Sequence, residues 1–398
     1  MTYGAQSIYL DHAATTPVDP VVVEAMIPFF TGTFGNPSSI YQVGQDGRAA
    51  LDRARAMIAR VLRCRSTEIL FTSGATESNN LAIKGVAAAA RDRHKGAVGK
   101  PPHIIITGIE HHAVLHPALA LERLGYAVTR LPVDSEGIVS GNDLDDAIRP
   151  DTCLVSVIYA NNEIGTIQPV AALAKIARNY GVPVHVDAVQ AAGSLSIDVD
   201  ALGVDLLSLS AHKFYGPKGV GMLYVRKGTP IRYLQDGGGQ ESGRRGGTEN
   251  VPLIVGMAEA LVRADRDREI YNAHCRDLRD RLWHAIRNDV PDVVPNGPDM
   301  ADARLANNLN VSFRGVQGET VLLGLDMAGV AASAGSACTT GNSEPSHVLR
   351  AIGHSEDEAR ASMRFTVGRG NSHDEIDEAA RIIAEVIART RTLADSIS

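Results

Sequence analysis

The amino-acid sequence predicts an α/β protein with a mostly parallel sheet, followed by a smaller α+β region. Short apolar runs alternate with helix-period segments along the first 250 or so residues, the signature of strands joined by crossover helices. The chain carries 38 glycines but only 5% aromatic residues, a composition suited to helices packed closely on a sheet with backbone-lined loops. The alternation also changes character after the glycine-rich stretch 237–247.

The strand candidates are 68–71, 103–108, 152–160, 183–189, 205–210 and 220–225, each an apolar run of strand length. Between them, 45–63 reads as a helix because Ala50, Ala54, Met57, Ile58 and Val61 recur on one face. Segments 77–91 and 170–180 read the same way, and the basic stretch 91–102 reads as a surface loop. Beyond the glycine-rich segment, a long helix is expected over about 252–289. Strand-like runs follow at 307–313, 330–337 and 361–368. A final helix opens with a capping box, Ser372 to Glu375, and buries Ile376, Ala380, Ile383 and Ile387. The expected division is a large domain, 16–255, and a smaller one, 256–398, with residues 1–15 packing against the latter.

Composition removes several function classes. Of 398 residues, 44% are apolar and 21% charged, which excludes a disordered or collagen-like chain. Basic residues number 39 against 46 acidic ones, a net charge of −7; no broad nucleic-acid or anionic-membrane surface is expected. No signal peptide or membrane-length apolar run is visible. Cys64, Cys153, Cys275 and Cys338 form no CxxC pair, so reduced thiols in the cytoplasm are expected.

The segment from Ser210 to Gly219, SAHKFYGPKG, carries the most chemistry. Lys213 sits at a strand end between polar residues and a Gly-Pro turn, where a lysine can serve as a Schiff-base amine or be a plain surface residue. Asp187, in HVDAVQ, ends an apolar strand. An acid there can protonate a pyridine ring, as pyridoxal phosphate requires, or merely cap a turn. Phe71 to Asn79 reads as strand, Gly/Ser/Thr turn and helix start, a phosphate cradle with Thr76 adding a hydroxyl. In Glu110-His111-His112, a histidine is placed to stack on a flat ring and shuttle protons. His112 and His116 are spaced as a metal pair but lack a third ligand and HExxH, so no metal is expected. Gly237-Gly238-Gly239 lacks the context of a dinucleotide fingerprint. Cys338, in the small-residue loop AGSACTTG, can be a reactive thiolate or a buried small residue; the other three cysteines read as packing residues.

Together these residues resemble the cysteine desulfurases of the NifS/IscS type, within the fold-type I pyridoxal-phosphate enzymes. The matching segments run in the family's order. They are LDHAATT (10–16), GNPSS (35–39), TSGATESNN (72–80), NNEIG (161–165), HVDAVQ (185–190), SAHKFYGPKG (210–219), residues 237–250, SACT (336–339), EPSH (344–347) and RFT (364–366). The resemblance implies a large domain with a mostly parallel seven-stranded sheet and a small domain carrying the catalytic-cysteine loop. It implies that Lys213 holds the cofactor and acts as acid/base, Asp187 pairs the ring nitrogen, Gln190 and Asn162 contact the ring oxygen, and His111 stacks. Ala75, Thr76, Ser210 and His212 would hold the phosphate, with Thr248 from the other subunit of a homodimer. Arg364, and with it Asn36 and Asn162, would bind the substrate, with Arg369 a nearby rival for the carboxylate. Cys338 would take sulfur from L-cysteine, leaving L-alanine and a persulfide for a sulfur-acceptor protein in iron–sulfur cluster assembly or another thiolation pathway.

Three departures from the family pattern stand out. Gln240-Glu241-Ser242-Gly243 replaces a more usual Gln-Glu-Arg-Gly, leaving Arg244 and Arg245 to supply charge, and His112 replaces a common lysine. The chain also ends without the longer tail through which housekeeping relatives dock a scaffold. A selenocysteine lyase or another class-V aminotransferase-like activity is the alternative enzyme reading. A non-catalytic sulfur-relay partner would not need Lys213, Asp187 and the phosphate turn together.

Overall fold

A computed structural model describes residues 7–93, 101–301, 303–334 and 345–395. In chain order its strands are β1 (Ile8–Tyr9), β2 (Ile69–Thr72), β3 (His103–Thr107), β4 (Ala127–Leu131), β5 (Thr152–Ile158), β6 (Val184–Asp187), β7 (Leu206–Ser210) and β8 (Gly221–Val225). The later ones are β9 (Val293–Pro295), β10 (Asn308–Phe313), β11 (Val330–Ala331), β12 (Ser333–Ala334) and β13 (Ser362–Thr366).

Seven strands form one sheet in the order β2-β8-β7-β6-β5-β3-β4. All pairs are parallel except those made by β8, which runs antiparallel to both neighbours. The central strands read as continuous apolar runs because helices cover both faces, so Ile104, Ile105 and Ile106 are all buried. Helices Gln42–Leu62, Val170–Asn179 and Val251–Arg266 pack on one face, while Ala75–Arg93 and His112–Arg123 pack on the other. The edge strand β4 has no counterpart among the sequence candidates. Most of its residues are partly exposed, so Ala-Val-Thr-Arg-Leu never forms an apolar run.

The long helix expected over 252–289 is in fact two, Val251–Arg266 and Arg268–Asp289. Asp267 leaves helical geometry at φ −93°, ψ 6°, and its carboxylate binds the Arg266 guanidinium just where the chain turns. The helix before the turn buries Ile254, Met257 and Leu261 against the large sheet. The one after it buries Leu278, Leu282 and Ile286 in a second core, under the antiparallel sheet β12-β13-β10-β9. The C-terminal helix completes that core with Ile376, Ala380, Ile383 and Ile387, and its capping box forms as Ser372 N to Glu375 and Glu375 N to Ser372 Oγ.

The N-terminal strand β1 pairs in parallel with β11, Ile8 opposite Val330. From there residues 11–16 cross to the large sheet, where Thr16 N and Oγ1 both donate to the His212 carbonyl. This crossing lays a short stretch of main chain over the carboxyl ends of β6 and β7.

Candidate active site

Ligands of open α/β sheets bind beyond the carboxyl ends of the strands, and there a cleft of about 670 Å³ opens in this chain. Five of the sheet's strands deliver groups to it. The turn after β2 supplies Ser73, Gly74, Ala75 and Thr76; the turn after β3, His111; the turn after β5, Asn162; β6, Asp187; β7, Ser210, with His212 and Lys213 just beyond. Gln190 and Arg364 complete the wall.

Lys213 follows β7 on a short 3-10 turn. Its Nζ donates to the carbonyls of Ala13 and Ala14 at 2.6 and 2.7 Å. Gln190 Nε2 donates to the same Ala13 carbonyl at 2.9 Å, so the N-terminal crossing fixes both side chains. Thr15 Oγ1 meets His212 Nδ1 at 3.1 Å. Burial, helped by Lys213 and Lys218, lowers the His212 pKa to about 4.

Asp187 is buried at the end of β6 and accepts from Asn79 Nδ2 at 2.7 Å and from Val189 N at 3.1 Å. Burial raises its pKa against those two hydrogen bonds and the charge of Lys213. His111 caps helix His112–Arg123, its Nδ1 accepting from Ala113 N at 3.0 Å. That bond leaves the ring proton on Nε2, and burial, with Lys213 and neighbouring histidines, pushes the ring pKa down to about 4. The ring is therefore neutral at physiological pH. Glu110, just before it, is wholly buried and pushed up to about 8 by burial, with Thr107 and Ile158 N donating to it.

At the other end of the cleft, helix Ala75–Arg93 begins directly after the Ser73-Gly74 turn, and first-turn amides have no intrahelical partners. Gly221 of β8 makes this possible, since a Cβ there would lie 2.6 Å from the Gly74 backbone. Glu77 also lines this end, but Arg245 binds it at 2.9 Å and Ser73 donates to it from N and Oγ. Although burial opposes them, these partners hold its pKa down. Arg245 thus neutralises Glu77, while Arg244 donates to the carbonyls of Thr67, Ile69 and Glu241.

Arg364, on β13 and almost wholly buried, donates to the Asn162 carbonyl at 2.9 Å and to Asp11 at 2.7 Å. Its rival Arg369 lies outside the cleft, stacked over the Tyr215 ring at 4.6 Å and paired with Asp19. Asn36 is exposed and does not line the cleft; its side chain caps Ser38 N. Thr248 is also exposed and away from this chain's own cleft. Cys338 falls outside the described residues. Cys64, Cys153 and Cys275 are each raised to about 12 by burial, so they are protonated thiols at neutral pH. His112 and His116 meet ring to ring at 3.1 Å on the exposed side of their helix. Among the described residues, no group of three or more His, Cys, Asp or Glu could hold a metal ion.

Ala13, Ala14, Asn79 and Lys218 line the cleft without a role expected from the sequence. The first two act through main-chain carbonyls, which leave no side-chain signal. Lys218 lies within the SAHKFYGPKG segment, and its charge was the available clue.

Residues 8–378 match the family model described as aminotransferase class-V. The chain belongs to the class-V aminotransferase family. Similar curated relatives include the cysteine desulfurase IscS of Dictyoglomus turgidum, 49% identical over 98% of this chain and 96% of that protein. Another, from Methanosarcina thermophila, is 47% identical over 98% and 94%. Among solved structures, a NifS-like protein superposes with a TM-score of 0.89 at 39% identity, covering 96% of this chain and all of that one. A structure described as SspA in complex with cysteine gives 0.78 at 38%, covering 91% of this chain and 99% of that one.

The enzymes of this family work with pyridoxal 5′-phosphate, and the cleft has the donor set for it. Asp187 is a buried carboxylate whose hydrogen-bond donors are both neutral, and a protonated ring nitrogen would complete it. Beside it, Asn79 keeps a buried Oδ1 that has no hydrogen-bond partner among the described residues. The start of helix Ala75–Arg93, Ser210, His212 and Lys213 line the same cleft.

Proposed function

We propose that this protein is a pyridoxal-phosphate-dependent cysteine desulfurase that converts L-cysteine to L-alanine and leaves the sulfur as a persulfide on Cys338. The observation that carries this reading is the convergence of Lys213, Asp187, the helix start at Ala75–Thr76 and Arg364 on one cleft. Near-full-length similarity to cysteine desulfurases supports the reaction, and the related structure described with cysteine supports the substrate.

Asp187 and the 75–76 amides, with Thr76, Ser210 and His212, would hold the cofactor's two ends, Gln190 and Asn162 its ring oxygen, and Lys213 its carbon between them. When bound, the cofactor acts as the electron sink that makes the substrate's carbon acidic and its C–S bond breakable. Lys213 Nζ moves the proton at that carbon, and the Ala13 and Ala14 carbonyls hold its ammonium form in place. His111 presents Nε2–H to the cleft as a neutral donor. Arg364 binds the substrate carboxylate, since a planar fork engages both oxygens. Asn36 is the second candidate contact for that carboxylate; it would have to approach from outside this chain's own cleft. Cys338 as thiolate takes the sulfur, the C–S bond breaks, the carbon gains a proton and L-alanine leaves. The residues flanking its segment support this placement. Ser333 lies opposite Arg364 in the sheet, and His347 bonds the Glu110 carbonyl.

The same reading takes two domains, expected as 16–255 and 256–398 with 1–15 belonging to the second. Met257 and Leu261 pack in the large-sheet core, so helix Val251–Arg266 goes with the first and the division falls at Asp267. Exposed Val21, Val23, Ile27, Phe30, Phe34 and Ile40 form an apolar stretch that supports a homodimer, with Thr248 reaching its partner's phosphate site. Three free, unpaired cysteines support a reducing, cytoplasmic setting. Iron–sulfur assembly is the first acceptor pathway, other thiolations the second. The test is alanine release by purified, cofactor-loaded protein given L-cysteine. Activity that needs Cys338 supports the reading; full sulfide release by Cys338→Ala with dithiothreitol would overturn the persulfide route.

A further inference from the structure

Arg364 is held through both terminal nitrogens. Its Nη2 donates to Asp11 Oδ1 at 2.7 Å and its Nη1 to the Asn162 carbonyl at 2.9 Å, while the buried Nε has no hydrogen-bond partner among the described residues. The second oxygen of Asp11 accepts from Ser333 Oγ at 2.9 Å, and Ser333 is the residue opposite Arg364 across the β12–β13 pair. One carboxylate therefore grips both members of a cross-strand pair. Asp11 also bridges to Thr366 at the start of the crossing whose next carbonyls, Ala13 and Ala14, hold Lys213.

We propose that Asp11 is a positioning residue for the substrate-carboxylate site. A guanidinium almost without solvent needs a compensating anion, and Asp11 supplies it through Nη2. With that end fixed, the guanidinium keeps one orientation on the wall of the cleft, preorganised for a carboxylate. A flexible arginine would lose binding free energy in becoming ordered. Because Asp11 lies on the same crossing as Ala13 and Ala14, the place of the carboxylate is set relative to the Lys213 amine.

This rests on the desulfurase reading above, and the test separates the two. Cofactor-loaded protein and its Asp11→Asn variant are titrated with L-alanine, the product, and with ethylamine, which is alanine without its carboxylate, following the cofactor's absorbance. Asparagine keeps the size and one acceptor but not the charge. Charge-assisted hydrogen bonds are strong enough that alanine should bind about tenfold more weakly to the variant, with ethylamine binding unchanged. In turnover the same variant should raise KM for L-cysteine more than it lowers kcat, and an Asp11→Glu variant should recover part of the loss. Equal weakening of both ligands, or unchanged alanine binding, overturns the proposal. A wild-type protein whose absorbance responds to neither alanine nor cysteine would instead overturn the desulfurase reading itself.

Discussion

Asn79 donates a 2.7 Å hydrogen bond to Asp187 across the joint between helix Ala75–Arg93 and strand β6, with both side chains buried. The helix whose first turn lines the cleft thus also supports the cleft's buried acid. Removing the amide leaves a buried carboxylate oxygen without its donor, which costs about 1–3 kcal/mol. Asn79→Ala is expected to lower the apo protein's stability to urea by that amount and to weaken pyridoxal-phosphate retention on gel filtration. Full retention would mean that Asp187 is held by other means.

Gly221→Ala tests the phosphate turn. The new Cβ would lie 2.6 Å from Gly74 and 2.7 Å from the Leu209 carbonyl, both backbone atoms that have little room to move. Overpacking of this kind costs about 1–3 kcal/mol. The strain falls on the turn that begins the helix, so cofactor affinity measured by absorbance titration should fall more than global stability. Equal losses in both would place the damage in the sheet instead.

The two arginines separate by kinetics. Arg364→Lys removes the fork and should raise KM for L-cysteine by about tenfold or more. Arg369→Ala removes a stacking and ion-pair contact outside the cleft and should lower thermal stability with KM unchanged. A raised KM in the second variant alone would reverse the assignment.

Stability of the apo protein should peak near pH 6.5. Burial lowers His12, His103, His111 and His212 to about 4 and His185 to about 3. Between those values and 6.5 the unfolded chain binds protons that the folded chain refuses, so stability rises with pH across that window. Glu163, raised to about 7, Glu110, raised to about 8, and Asp187, also raised, act oppositely because the folded state keeps protons that the unfolded state has lost. Below 6.5 the lowered histidines outnumber the raised carboxyls; above it Glu163 and Glu110 still titrate, and stability falls. Urea unfolding at pH 5, 6.5 and 8 reads this directly, and stability still rising at pH 8 would contradict it.

Groups that announce themselves by residue type were legible in the sequence. Lys213, Asp187, His111 and the 73–76 turn each end an apolar run, and the fold gathers them because parallel strands bring their carboxyl ends to one edge. The crossing of residues 11–16 was legible only as part of a family resemblance, because its contribution is made by carbonyls. Edge strand β4 and the break at Asp267 were missed for a common reason. Apolar periodicity marks burial, and neither an exposed edge nor a one-residue turn inside a helical pattern changes it enough to register. Arg364, on β13, and Arg369, just beyond it, are close in sequence, and only their places in three dimensions tell them apart.

The most direct test is to mix cofactor-loaded protein with L-cysteine in the absence of reductant, quantify alanine, and map added sulfur by intact-protein and peptide mass spectrometry. One alanine per subunit and one extra sulfur atom, on the peptide containing Cys338, are expected. Alanine formation with the extra sulfur on Cys64, Cys153 or Cys275, or on no cysteine, would contradict the persulfide route.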